Sequence, residues 1–155
     1  MKKGEQTVNF FENSIGPWLG KTVKMIDYFL QESFESDNLD ITKEQMIVLK
    51  KLYNQDGLYQ NELARLIFRN KSSLARLLSK MESKNYISRK SSKEDKRIKK
   101  VFLTDTGKEV FEKAIPIIKN MLSKMEETIT SDEKEQMITI LKKVQHNFGA
   151  NQEHL

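Results

Sequence analysis

The chain has 155 residues, 27 Lys and Arg against 22 Asp and Glu, and no cysteine. That length suits one domain with appended helices around a buried core, and the missing thiols exclude disulfides, thiolate metal sites and thiol redox sensing by this chain alone. No apolar run reaches the roughly 18 residues that a membrane span needs, and the basic start Met-Lys-Lys-Gly has no apolar stretch behind it, so no membrane partner and no signal peptide are expected, and a cytoplasmic location is.

With only 6 Gly and 2 Pro, the composition favours long helices. Residues Val8–Asn13 suit a short helical piece. After the break at Gly16-Pro17, a helix is expected from about Pro17 to Glu35, with Trp18, Thr22 or Val23, Met25, Ile26, Phe29 and Leu30 on one broad apolar side. Thr42, with Gln45 three residues on, has the pattern of a capping box, and Met46, Leu49, Leu52 and Tyr53 form the stripe of a second helix. Gln55-Asp56-Gly57 is a turn, and a third, short helix runs from about Gln60 to Ile67, with Leu63, Leu66 and Ile67 inward. A fourth follows a break near Arg69-Asn70. It spans about Ser72–Lys84 and places Leu74, Leu77, Leu78 and Met81 on one stripe, with Ser72, Arg76, Ser79 and Ser83 opposite.

Helical periodicity stops at Asn85. Residues Tyr86–Ser91 and Ile98–Leu103 read as two strands joined by the polar tip Ser92–Arg97. Thr104 caps a long helix to about Glu127 that Pro116 should kink, and Thr130 with Glu133 opens a last helix carrying Met137, Ile138, Leu141, Val144 and Phe148. The expected fold is mostly α with a small β-hairpin wing (α+β), in winged helix-turn-helix order. The expected division is 1–36 for an N-terminal dimerisation region, 37–104 for the winged unit, 105–148 for C-terminal dimerisation helices and 149–155 for a frayed tail.

Charge is distributed unevenly. From Arg65 to Lys100 there are 13 basic and 3 acidic residues, whereas the rest of the chain has 14 basic and 19 acidic. One cationic segment on an acidic protein is the footprint of a polyanion partner, above all nucleic acid, although a solvated basic face has the same signature. The small outer-face residues of the fourth helix let its backbone approach a major groove, where serine hydroxyls bond phosphate or base and Arg76 grips a guanine edge. A basic hairpin can lie along the DNA backbone and push an arginine into a minor groove. Arg69, Lys71, Lys80, Arg89, Lys90, Lys93, Lys96, Lys99 and Lys100 are the expected phosphate contacts.

Six pieces in order, Thr42-x-x-Gln45, Gln60-x-Glu62-Leu63-Ala64, Ser72-Ser73-Leu74-Ala75-Arg76-Leu77-Leu78, Met81 to Arg89, Asp95-Lys96-Arg97 and Leu103-Thr104-Asp105-Thr106-Gly107, resemble the MarR family of bacterial regulators over roughly Pro17 to Phe148. The resemblance implies a homodimer with interleaved terminal helices, each subunit presenting a winged helix to a pseudo-palindromic double-stranded DNA site. It further implies that Ser72, Ser73 and Arg76 enter the major groove and that Arg97, oriented by Asp95, reaches the minor groove. The chain departs from the family at Asn85, where Gly is usual, at Lys96, where Arg is usual, and at Ala75, where a hydroxyl residue is frequent.

Trp18, Met25, Tyr28 and Phe29 are candidates to line a pocket for a small aromatic or anionic effector, although their helical spacing equally suits core or dimer packing. His146 and His154 make a poor metal pair, Ser72 and Ser73 have no histidine partner, and no glycine-rich phosphate cradle is present, so no enzyme and no cofactor are expected. The expected function is a sequence-specific DNA-binding transcriptional repressor released by an effector. The alternative is a winged-helix scaffold dimer that reads no operator.

Overall fold

The computed structural model describes residues 10–91 and 99–149. Its elements are helices α1 (Ile15–Ser36) and α2 (Lys43–Asn54), strand β1 (Leu58–Tyr59), helices α3 (Gln60–Leu66) and α4 (Lys71–Ser83), strands β2 (Ile87–Ser91) and β3 (Lys99–Leu103), and helices α5 (Asp105–Met125) and α6 (Ser131–Asn147). The chain is therefore mostly helical with a small sheet, as the periodicity predicts. A helical turn at residues 10–12 precedes α1. The expected hairpin tip Ser92–Arg97 and the tail beyond Gly149 lie outside the described residues.

Local chemistry sets the helix ends. The Thr42 and Thr130 hydroxyls accept from the backbone N–H groups of Gln45 and Glu133, whose side chains bond back to the cap backbones, so both capping boxes form. Thr130 holds the Glu133 carboxyl below its usual range. Helix α1 starts at Ile15 with Ser14 before it, two residues earlier than the sequence suggests, which leaves Pro17 within the first turn, where its missing N–H costs nothing. Helix α5 runs on through Pro116. Three helices end on residues in left-handed conformation, namely Asn38, Phe68 and Asn85. Each is followed by a residue whose N–H bonds back over the last turn: Leu39 to Phe34, Arg69 to Ala64 and Tyr86 to Met81.

The hairpin acquires a third strand that the sequence does not reveal. Strand order is β1-β3-β2, antiparallel throughout, with Leu58 opposite Val101 and Arg89 opposite Val101 on the other side. Two residues are too few to show an alternating pattern, so β1 reads as part of a turn. The turn before it is pinned by Asp56, whose carboxylate accepts from the Leu103 N–H at 2.7 Å.

The core gathers Leu30 and Phe34 from α1, Val48, Leu49 and Leu52 from α2, Leu63 from α3, Leu74, Leu78 and Met81 from α4, Ile87 and Val101 from the sheet, and Phe111, Ala114 and Ile117 from α5. Each fully buried large side chain contributes about 1.5–3 kcal/mol. Tyr53 is not part of this stripe. It is exposed, its ring lies 4.9 Å from that of Phe111, and its hydroxyl meets Glu112. The broad apolar side expected for α1 is also only partly inward: Trp18, Val23, Met25 and Phe29 are exposed, and α6 buries no residue at all.

Candidate nucleic-acid interface

Helix α4 is held by its apolar side and shows its polar side to solvent. Leu74, Leu78 and Met81 are fully buried, while Lys71, Ser72, Arg76, Ser79, Lys80 and Ser83 are exposed and Ser73 is half-buried. The helix begins at Lys71, one residue before the expected start, because Asn70 caps it: its Oδ1 accepts from the Ser73 N–H at 2.8 Å and from the Ser72 hydroxyl at 3.1 Å. Arg69, expected on phosphate, donates to Ser73 Oγ at 2.8 Å and lies 3.8 Å from Glu44. The three expected groove readers thus differ. Ser72 and Ser73 are tied into the cap, and Arg76 has no hydrogen bond or ion pair among the described residues.

The other end of α4 joins the wing through a dense set of bonds. The Thr104 hydroxyl donates to the Asn85 carbonyl at 2.6 Å and accepts from the Gly107 N–H at 3.0 Å. A Cβ on Gly107 would lie 2.0 Å from the Tyr86 carbonyl oxygen, so only glycine lets α5 approach this closely. Lys84 meets the Asp40 carboxylate at 2.7 Å, and the Tyr86 hydroxyl donates to the Asp40 carbonyl at 2.8 Å. Burial raises the Tyr86 pKa, with the Asp40 charge adding to the shift.

Positive charge is concentrated along the wing strands. Lys90 and Lys100 are directly opposed across β2 and β3. Like charges in that register repel one another. Each ammonium sits over an aromatic ring, Lys90 at 5.3 Å from the Phe102 centroid and Lys100 at 4.7 Å from that of Tyr59. Lys99 is exposed beside them. Arg89, also expected on phosphate, instead pairs with Glu82 at 2.6 Å. Lys93, Asp95, Lys96 and Arg97 lie outside the described residues. Neither arginine's acidic partner has a sequence signal, because Arg69–Glu44 and Arg89–Glu82 join different elements at no helical or strand spacing.

The candidate effector residues do not form one enclosed site. Met25, Tyr28 and Phe29 line an open groove with Pro17, Gly20, Lys21 and Lys24, all on α1. Trp18 is not among the lining residues; its indole N–H donates to the Glu12 carbonyl at 3.1 Å. Among the described residues no group of three or more His, Cys, Asp or Glu is placed to hold a metal ion, and no helix is long and apolar enough to cross a membrane.

Comparison with known proteins agrees with this geometry. The model of the MarR family matches residues 41–99. The HTH-type transcriptional regulator YybA of Bacillus subtilis (strain 168) is 28% identical over 147 residues, covering 92% of this chain and 94% of its own. The transcriptional regulator HosA of Escherichia coli O157:H7 is 28% identical over 105 residues, or 68% of this chain and 78% of its own. A mutant MarR from E. coli complexed with operator DNA superposes with a TM-score of 0.78 at 26% identity, covering 84% of this chain and 92% of that one. The S. aureus MepR–DNA complex gives 0.74 at 29% identity, covering 86% and 97%. The family model matches within the winged unit, and in sequence and fold the chain is similar to MarR-family regulators along most of its length.

Proposed function

We propose that this chain is a transcriptional regulator that binds a pseudo-palindromic operator as a homodimer and represses by occupying it. The exposed face of α4 carries the reading. It presents Lys71, Ser72, Arg76, Ser79 and Lys80 with no acidic side chain among them, on a helix whose other side is anchored in the core. Proteins of the same fold are complexed with DNA, the E. coli MarR mutant with operator DNA. In this reading Arg76 specifies bases in the major groove, Ser72 and Ser73 contact DNA beside it, and Lys71, Lys80, Lys90, Lys99 and Lys100 neutralise phosphates. Arg97 probes the minor groove with Asp95 orienting it, and Lys93 and Lys96 add charge. We assign the protein no catalytic step and place it in the cytoplasm, where its DNA would be.

The dimer is part of the same proposal, with 1–36 and 105–148 as its dimerisation regions and 37–104 as the DNA-binding unit. Ile15, Trp18, Met25 and Phe29 follow one another at steps of three, seven and four along α1, which keeps them on one face, and are all exposed. Leu122, Met125 and Ile129 continue a stripe from α5, and Met137, Ile138 and Ile140 are exposed on α6. A lone subunit would leave these faces in water, and a second copy covers them. Release by a small aromatic or anionic effector would use Met25, Tyr28 and Phe29, with Lys21 and Lys24 supplying positive charge. Selecting DNA from a random pool with the purified protein tests the reading. A recurrent inverted-repeat sequence is expected, and recovery of unrelated sequences would overturn operator recognition.

A further inference from the structure

Arg89 begins on the first wing strand and turns back onto helix α4. Its Nε donates to Glu82 Oε2 at 3.0 Å, a terminal guanidinium nitrogen donates to the same oxygen at 2.6 Å, and its backbone N–H donates to Glu82 Oε1 at 3.0 Å. The same terminal nitrogen reaches Ser79 Oγ at 3.2 Å. Ser79 in turn donates its own hydroxyl proton to the Ala75 carbonyl at 2.9 Å. The Arg89 side chain is only 15% exposed. A guanidinium committed in this way has little left to offer a phosphate. Its partner is informative as well: Glu82 is the single acidic residue in the sequence of α4. An acid on a helix that approaches DNA opposes binding unless it does something else.

We propose that Glu82 and Arg89 form a lock that fixes the angle between helix α4 and the wing, so that the helix and the hairpin meet the two grooves together. Arg89 is then a positioning residue and not a phosphate contact. The planar fork of arginine is required, because a lysine ammonium cannot bond one carboxylate oxygen through two nitrogens and reach Ser79 as well. The lock joins the end of the helix to the start of the sheet across the turn at Asn85, on top of the bonds that already hold that turn, and among the described residues it alone ties the α4 side chains by hydrogen bonds to the wing strand beyond it. The proposal rests on the DNA-binding reading above, and its test separates the two.

The probe is a duplex selected by the wild-type protein from a random pool, compared with a scrambled duplex of equal composition over a salt series. A phosphate contact contributes roughly 0.9 to the slope of log affinity against log salt. Glu82→Gln removes a negative charge, so simple electrostatics makes it bind both duplexes more tightly. The lock predicts the opposite on the selected duplex: a loss of about tenfold, the size of coupling that contacting residues commonly share, with no loss on the scrambled one and an unchanged slope. Arg89→Lys keeps its charge and should lose as much as Glu82→Gln, and the double variant should lose no more than either alone. Thermal unfolding of the same four proteins without DNA shows that each is folded and gives the coupling of the pair independently. Tighter binding of Glu82→Gln to both duplexes, or wild-type behaviour of Arg89→Lys, overturns the lock. A wild-type protein that selects no sequence overturns the DNA reading instead, and additive stability effects in the DNA-free cycle would then overturn the lock on their own.

Discussion

Tyr86 and Asp40 are 46 positions apart, yet the Tyr86 hydroxyl donates to the Asp40 carbonyl at 2.8 Å. This bond connects the loop between α1 and α2 to the junction of helix α4 and the wing. Lys84 adds a second connection, through the Asp40 carboxylate at 2.7 Å. The two are unequal. The Asp40 side chain is 79% exposed, so solvent screens the ion pair. Asp40→Asn should change stability by only a few tenths of a kcal/mol, whereas Tyr86→Phe removes the shorter, part-buried bond to the Asp40 carbonyl, leaving it only Lys84 Nζ at 3.1 Å, and should cost about 1 kcal/mol. Urea unfolding of both variants checks this ordering.

Asn70 separates stability from binding. Asn70→Ala removes the cap of α4 and should destabilise by about 1 kcal/mol. Asn70→Asp keeps the cap, and its charge favours the helix N-terminus, so stability should hold or rise. The same charge faces the phosphates in the proposed complex, so DNA affinity should fall. Circular dichroism melts paired with fluorescence anisotropy on one DNA duplex would show the two quantities moving apart.

Gly107 has no tolerated replacement. Alanine would place its Cβ 2.0 Å from the Tyr86 carbonyl oxygen and 3.1 Å from Leu103 Cδ1. Helix α5 would have to move off the sheet, at a cost of about 3 kcal/mol or more. Chemical denaturation should place Gly107→Ala far below wild type. By contrast, Asn85→Gly, at a φ of 57°, should be neutral or stabilising by up to about 1 kcal/mol.

The exposed faces of α1 and α6 make a test of assembly that leaves the fold alone. Met25 and Met137 are each 51% exposed in one subunit. Charged replacements, Met25→Glu and Met137→Glu, should leave each subunit's own core intact and shift the protein from dimer towards monomer. Sedimentation velocity at micromolar concentration is the measurement, and an undisturbed dimer would remove these residues from the interface.

Acid should release the pair of Glu82 and Arg89. The hydrogen bond from the Arg89 side chain, with smaller help from its backbone N–H and from the charges of Arg89 and Lys99, holds the Glu82 carboxyl below the usual carboxylate range. A lowered folded-state pKa gives stability that is present above the ordinary glutamate value, about 4.3, and is lost as pH falls through the lower folded value. The stability difference between wild type and Glu82→Gln should therefore shrink below about pH 4, as followed by melts over a pH series.

Local chemistry made much of this architecture legible. Thr42 with Gln45 and Thr130 with Glu133 mark helix starts because a capping box is a short-range device, and the apolar spacing from Leu74 to Met81 marks the buried side of α4. Long-range partners have no such imprint. Tyr53 occupies a helical stripe position and still lies outside the core, because Phe111 and Glu112 of a distant helix meet it there. Strand β1 is too short for a pattern, and its place is set by β3. In the interface, Arg76 stands exposed on α4, whereas Arg69 and Arg89 have the same side chain and are engaged by Ser73 and Glu82. Sequence cannot separate a free arginine from a paired one.

In the proposed complex Arg76 reads bases while its lysine neighbours only add charge. The direct measurement is the affinity of Arg76→Ala, at one fixed salt concentration, for the duplex the wild type selects and for a scrambled duplex. Base reading predicts a loss of about 1–3 kcal/mol on the selected duplex and a much smaller one on the scrambled duplex. An equal loss on both duplexes would make Arg76 one more phosphate contact and contradict the account.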